Sequence, residues 1–541
     1  MNRVSRCVPV LVTAIALAMD VMAAPDNNPH STVATTVSVP PALLDRQVNE
    51  KVISKIAPGR VSTFTVSPDG RHVAYQAYAN GKPDSVSDEG ESGKIIVIVD
   101  GKKGSHRYDS SDMNMAIRKL IFSPDSTRLA YITEDQMNVY IDGLDEEFYG
   151  YGTKSANAMI RDVEWLRFSP DSKSAIYVIS VNNADGPAYV VTEGKRGKPY
   201  PRLAGPPIFS PDSKHLAFAV RLNRPYSVYM VVDDTEGKHY VEYDDRYTTF
   251  SPDSSMLAYI AGSGIPTGRK RHIEYFVVVN GQEGKHYVGI GNYLMFSPDS
   301  RHLLYPAKIA EYKWTVVIDG KEDGAHDAWA IFNPSFSPDG KHTAYTAWTI
   351  PDKGDWYVVI DGQEGKRYKR LYDGVKFSSD SNHSAYSACD NSSCFMVLDG
   401  QEAKRYEFIG QFAYSPVSAQ LAYVAMLGPK KFVVFDGREG KLYDEIHNLV
   451  FSPDGKYLAY AAYDKKTKKW FVVVNAQEGK QYDFVMASGA SEKEGRVDQA
   501  VETGSLKFDS PNKLHYLAVS NKRILLVEEH LGVPELNGEN K

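Results

Sequence analysis

Cysteine is nearly absent from this chain, with three in 541 residues. That excludes a disulfide-dense scaffold and an array of zinc ribbons, both of which need cysteines in repeated pairs. Long apolar runs are missing too: no segment approaches the roughly 18 apolar residues of a membrane-spanning helix, so no transmembrane anchor is expected. Neither sign of charge dominates, because 62 basic residues stand against 68 acidic ones for a formal net charge of -6. With no global positive field, a nucleic-acid partner is not expected. Glycine (41) and proline (29) are at ordinary levels, which excludes collagen-like and low-complexity chains. What is present is 42% hydrophobic and 24% charged residues, enough apolar material for a large folded core.

The N-terminus has a basic start (Arg3, Arg6), an apolar run from Cys7 to Met19 and small residues at Ala23 and Ala24. This order reads as a secretory signal peptide, residues 1–23, and places the mature protein in the periplasm or outside the cell. Residues 24–46, rich in Pro, Thr, Ser and Asn, read as a flexible linker. Cys7 leaves with the signal. Cys389 and Cys394 remain, separated by the turn formers Asp390, Asn391, Ser392 and Ser393 and flanked by strand-like segments. A hairpin would bring the two sulfurs together, and in an oxidising compartment a disulfide is expected, with two free thiols as the alternative.

One pattern fills the rest. Phe-Ser-Pro-Asp-Gly/Ser is followed by an alternating run ending Leu-Ala-Tyr, then an aromatic with Val-Val-Val-Asp-Gly, then Glu-Gly-Lys-x-Tyr. The anchoring serines are Ser67, Ser123, Ser169, Ser210, Ser251, Ser297, Ser337, Ser378, Ser415, Ser452 and the degenerate Ser510, about 44 residues apart. Each unit offers four short strands divided by turn signals, and no helical period competes. In Ser-Pro-Asp-Gly the proline presets a tight turn, the aspartate bonds its own backbone and glycine accepts the unusual angle. Seven residues after the serine most units place alanine, and eight after it an aromatic, as in Ala258 and Tyr259. Successive strand residues face opposite ways, so one face offers a hole and the other a ring to fill it.

The fold class read from this is all-β: a β-propeller of about eleven four-stranded blades. Eleven inner strands in one ring would leave a wide channel. Two adjoining propellers are therefore expected, residues 47–290 with five blades and 291–531 with six, before a tail at 532–541; one large ring is the alternative. The last unit shows three strands, and residues 50–56 offer a fourth that would close a ring with both termini. Phe-Ser-Pro-Asp-Gly-Lys followed by Leu-Ala-Tyr resembles the repeat of TolB-type, WD-repeat-like propellers, over residues 60 to about 530. The resemblance implies that fold and a role as an interaction platform or accessory domain. It leaves the Glu-Gly-Lys-x-Tyr ending unexplained.

No nucleophile elbow, zinc-protease helix or phosphate-binding loop occurs, and no catalytic, cofactor or metal-binding residue is assigned. His72, His215, His302, His342 and His383 share one repeat position, and His239 and His286 another, so they read as structural. In a meander, the second-to-third turns and the blade linkers share one end, and that end holds the variable insertions. Candidate binding residues there are Tyr78, Arg221, Arg224, Arg269, Lys270, Arg271, Lys308 and Trp348. Tyr78, Arg221, Lys308 and Trp348 all stand eleven residues after an anchoring serine, a position that keeps no residue type. Arg221 with Arg224, and Trp348 with Trp356, would suit an acidic, carbohydrate or peptide ligand. Trp314, Trp356 and Trp470 begin third strands and read as packing residues. The leading function is a non-catalytic, exported platform for an envelope or extracellular protein, peptide or polysaccharide. A lyase or hydrolase with its site at a channel mouth is the competing class.

Overall fold

Each anchoring serine builds the turn that starts a blade. The buried Ser337 hydroxyl donates to Asp339 Oδ1 at 2.6 Å and accepts the His342 amide at 2.9 Å, while Asp339 Oδ1 also accepts the Lys341 amide at 3.1 Å. The same three bonds recur around Ser123, Ser169, Ser210 and Ser251. The serine hydrogen bonds hold Asp125, Asp212, Asp253 and Asp380 down to about 2. With the first turn fixed, the chain meanders. In the seventh unit Ala330–Phe336, Thr343–Trp348, Trp356–Ile360 and Gln363–Tyr368 pair antiparallel in chain order.

The computed structural model describes residues 44–56, 61–78, 94–104, 108–109, 117–133, 139–142, 144–145, 160–181, 187–223, 226–264, 266–267, 270–271, 273–349, 354–486 and 506–532. The signal-peptide reading and nearly all of the linker reading fall outside these residues. Within them the chain is an all-β propeller of eleven four-stranded blades. No helix among the described residues is long and apolar enough to cross a membrane. First strands approach the first strands of the next blade, whereas fourth strands such as Gln363–Tyr368 are exposed along most of their length. First strands therefore lie inside the ring and fourth strands outside.

Neighbouring blades interlock through the small and aromatic positions. Ala217 of blade 4 shares a core cluster with Tyr259 of blade 5, Ala258 of blade 5 with Tyr305 of blade 6, and Ala344 of blade 7 with Tyr386 of blade 8. Each hole faces the next blade's ring. A second set of contacts explains the Glu-Gly-Lys-x-Tyr ending. Lys238, Lys285 and Lys441 each reach the glutamate of the next blade's fourth strand (Glu283, Glu322 and Glu478) at 2.7 Å. Lys404 does the same to Glu439 at 2.7 Å, and Tyr406 also donates to Glu439 at 2.8 Å. A third belt runs through the turns. The amides of Asp125, Asp171, Asp212 and Asp253 each donate to a serine hydroxyl of the following blade at 2.9 Å. Those serines (Ser172, Ser213, Ser254 and Ser300) sit at φ between 63° and 67°, a conformation glycine adopts more easily. Serine is there for its oxygen.

The last blade takes its fourth strand from the other end of the chain. Asp45–Lys55 pairs antiparallel with Arg523–Gly532, which pairs with Lys513–Ser520. The closing strand foreseen at 50–56 is thus real but longer, and it claims Asp45 and Arg46 from the expected linker. Arg46 Nε meets Glu529 Oε2 at 2.7 Å with the two side chains 6% and 0% exposed. Tyr516 donates to the same carboxylate, and the guanidinium also donates to the carbonyl of Gln477. Glu50 receives Lys480 and Tyr482 as any other fourth-strand glutamate would.

The expected split into two propellers near residue 290 is corrected by the packing. Blade 5 meets blade 6 through the same kind of core as every other seam. Blade 11 packs on blade 1, where Leu517, Val519 and Ile524 join Phe64, Val73 and Tyr75. Eleven core clusters follow one another around one closed ring. A division would have to strip one face of blades 5 and 6 bare, and nothing in either sequence prepares that face for water.

Two outcomes are expected. Arg46→Met leaves Glu529 charged and buried, so it should lower the unfolding free energy by about 3 kcal/mol, and adding Glu529→Gln should recover part of that; denaturant midpoints of both variants decide. The turn aspartates have folded pKa values below the roughly 3.9 of a free carboxyl. Their stabilisation is complete above about pH 4 and is lost as pH falls through their folded values. The thermal midpoint should therefore drop between about pH 4 and 2, and less so with Asp253→Asn.

Candidate functional site

The two ends of the blades differ in how much they repeat. At the Ser-Pro-Asp end, His215, His302 and His342 place Nδ1 2.6, 2.6 and 2.8 Å from Asp233, Asp319 and Asp361, and His383 lies 2.7 Å from Asp399. Each strap ties the first turn of a blade to its third. Where the turn aspartate becomes Asn280 or Asn475, the histidine becomes Met256 or Tyr457. These histidines are structural, as their recurrence implies. A cleft of ≈ 340 Å³ between blades 4 and 5 opens beside Met256 and Asn280 at this end, lined mainly by Met230, Phe250, Met256 and Leu257.

At the opposite end the position eleven after the anchoring serine faces the start of the third strand across a hairpin. The pairs are Arg221 with Val228, Gly262 with Tyr275, Lys308 with Trp314, Trp348 with Trp356, Cys389 with Cys394, Met426 with Lys431 and Tyr463 with Trp470. A constant backbone thus presents a different chemistry on each blade. The expected disulfide occupies this site on blade 8.

Blades 6 and 7 gather four of the chain's six tryptophans at this end. Trp348 stacks on Trp356 with ring centroids 5.8 Å apart, Trp329 meets Trp348 edge-on at 6.4 Å, and Tyr312 lies 5.4 Å from Trp329. Phe332 lies tilted against Trp356 at 5.4 Å. Trp329 is 45% exposed, yet its backbone is fixed on both sides. Its amide donates to the Trp348 carbonyl at 2.7 Å and its carbonyl accepts the Trp314 indole at 2.9 Å. The rim is also tied down, since Lys369 reaches Asp355 at 2.6 Å and the Asp355 amide donates to Thr349. The result is a pre-positioned aromatic shelf.

The sequence-predicted residues divide accordingly. Lys308 and Trp348 lie on adjacent blades at the shelf. Arg221 is on blade 4, its guanidinium 6.0 Å from the Tyr226 ring. Lys270–Arg271 pairs with Pro266–Thr267 in blade 5, and Tyr78 ends the second strand of blade 1. Arg224 and Arg269 lie outside the described residues. Trp314 packs on the core between blades 6 and 7, and Trp470 on those that flank blade 11, as expected of packing residues. Trp356 departs from that expectation, because it stacks on Trp348 at the shelf instead. Trp329 was missed: it stands in a blade linker, where no repeat position marks it. Among the described residues no group of three His, Cys, Asp or Glu is placed to hold a metal ion.

Beneath the shelf the repeat is broken by a buried set of titratable groups. Blade 6 ends Glu322-Asp323-Gly324-Ala325-His326, so His326 replaces the usual tyrosine and the lysine is lost. His326 Nδ1 lies 2.9 Å from Glu364 of blade 7, and Nε2 lies 2.7 Å from the Tyr345 hydroxyl, which donates to Asp323 at 2.5 Å. Both ring nitrogens therefore donate, as an imidazolium does. Burial works against that charge, but Asp323 and Glu364 outweigh it and raise the histidine. Burial also opposes the Asp323 charge, and the hydrogen bonds from His326, Tyr345 and the Val316 amide keep it below its ordinary range. Arg367 faces the second oxygen of Glu364 at 3.3 Å.

No protein-family profile matches this chain, and no curated protein matches it. Among solved structures it is similar to the crystal structure of a eukaryotic initiation factor, at 12% identity and a TM-score of 0.35, covering 66% of this chain and 96% of the other. It is also similar to the Cps50 (Swd1) β-propeller domain of Myceliophteria thermophila, at 12% identity and a TM-score of 0.23, covering 50% of this chain and 96% of that one.

A histidine raised by acceptors contributes stability that is complete below the unfolded value of about 6.5 and is lost as pH rises through the folded value. Wild-type protein should therefore lose thermal stability between about pH 6 and 9 more steeply than His326→Tyr, which restores the residue found at most other seams. Parallel melting curves would refute this role of His326.

Proposed function

We propose that this chain is an exported, TolB-type β-propeller that acts as a non-catalytic binding platform and meets its partner at the variable end of blades 4 to 8. The observation that carries this reading is the contrast between the two ends. One end spends its polar groups on bonds within and between blades, and those bonds recur. The other holds one backbone position constant and changes its side chain from blade to blade, which is how a rigid scaffold displays a recognition surface. The apolar N-terminal run supports export, and the cross-strand disulfide of blade 8 suits an oxidising compartment. The partner is an envelope or extracellular protein, peptide or polysaccharide.

Capture from cell-envelope extract on immobilised protein tests this. Trp329→Ala and Lys308→Glu at the variable end should reduce recovery of the bound partner several-fold, whereas Lys341→Glu at the regular end should not. Recovery that depends on Lys341 and ignores both variable-end changes sinks the platform reading.

A further inference from the structure

We infer that the aromatic shelf of blades 6 and 7 is a subsite for a neutral glycan chain, which rests on the platform reading and names its ligand. The chemistry points to sugar in three ways. The shelf is aromatic, and an indole such as that of Trp329, 45% exposed, can offer its face to the C–H face of a pyranose ring. Neighbouring rings from Tyr312 through Trp329 and Trp348 to Trp356 lie 5.4, 6.4 and 5.8 Å apart, so several aromatic groups are within reach of one ligand.

The shelf also keeps unspent hydrogen-bond donors. Trp314 gives its indole N–H to the Trp329 carbonyl, while those of Trp329, Trp348 and Trp356 find no acceptor among the described residues. A hydroxyl-rich ligand can stack on a tryptophan face and accept from its edge, a combination an aliphatic or lipid surface cannot use. Two of the charges around the shelf are paired. Lys369 is paired with Asp355 and Lys313 lies 4.0 Å from Asp327, which leaves Lys308 as the cation at the shelf with no ion-pair partner among the described residues.

An extended peptide fits less well. Trp348 is paired on one side with Ala330 and on the other with Trp356, so the strand that carries it offers no edge for a peptide ladder. The pinned backbone of Trp329 means that little ordering is left to do on binding.

The test is a titration of the purified protein with cellohexaose, maltohexaose and the hexamer of N-acetylglucosamine, read by tryptophan fluorescence and calorimetry. At least one hexaose should bind, and Trp329→Ala should weaken it by about tenfold or more. Trp470→Ala on blade 10 should leave that affinity unchanged. Trp329 belongs to no core cluster, so its truncation should leave the melting temperature in place and keep the comparison clean. No binding by any hexaose up to about 10 mM, or binding indifferent to Trp329→Ala, overturns the glycan assignment. A neutral peptide pool that binds in a Trp329-dependent way while the hexaoses do not also overturns it, yet leaves the platform standing. The platform itself fails only on the capture experiment.

Discussion

Everything in this ring depends on one strand being delivered from the far end of the chain. A blade with apolar residues on both faces has no stable life alone, and a row of such blades always ends in two bare faces. Asp45–Lys55 removes both at once. It completes the sheet of blade 11 across almost the whole sequence, and that sheet then covers blade 1. The bond that pins it is a bidentate, desolvated ion pair whose carboxylate also accepts from Tyr516. Such a pair adds little net stability compared with apolar packing, but it permits one register and one partner. Closing so long a loop costs only slowly growing entropy, so the ring tolerates a closing strand hundreds of residues away.

Given closure, the seams can share one design. The fourth-strand glutamates Glu283, Glu322, Glu402, Glu439, Glu478 and Glu50 are each held by a lysine, and at several seams by a tyrosine, of the blade before, and Lys404 and Lys238 hold Glu439 and Glu283 below the usual carboxylate range. These pairs are exposed and individually weak. The seam between blades 6 and 7 departs from the design, placing His326 between two carboxylates where the others use tyrosine and lysine. That seam lies under the aromatic shelf, since His326 is in register with Trp314.

The sequence made the blade legible because its signals are local. Ser-Pro-Asp turns, the alanine and aromatic alternation and the Cys389 and Cys394 hairpin all act within a few residues of where they are read. The number of blades per ring was not legible, because it follows from the summed angles of eleven seams, and no single repeat encodes a sum. The meaning of Glu-Gly-Lys-x-Tyr escaped for a related reason: Lys404 and Tyr406 find their partner Glu439 in the next repeat. A reader who had paired each lysine with the following glutamate could have found that belt. Position eleven after the serine was flagged by its variability and lies opposite the start of the third strand, whereas Trp329 had no repeat address to flag it.

The shelf also stands well away from the closing strand. Blade 6 stands five blades from blade 1 and five from blade 11, as far from the closing seam as the count allows. If any seam opens first it is the one whose two sides come from opposite ends of the chain, because its loss costs no neighbouring connection along the sequence. A recognition surface beside it would fluctuate with every such opening. On blades 6 and 7 the tryptophans sit between seams that chain continuity holds shut, so their spacing is kept where the ring is least able to open.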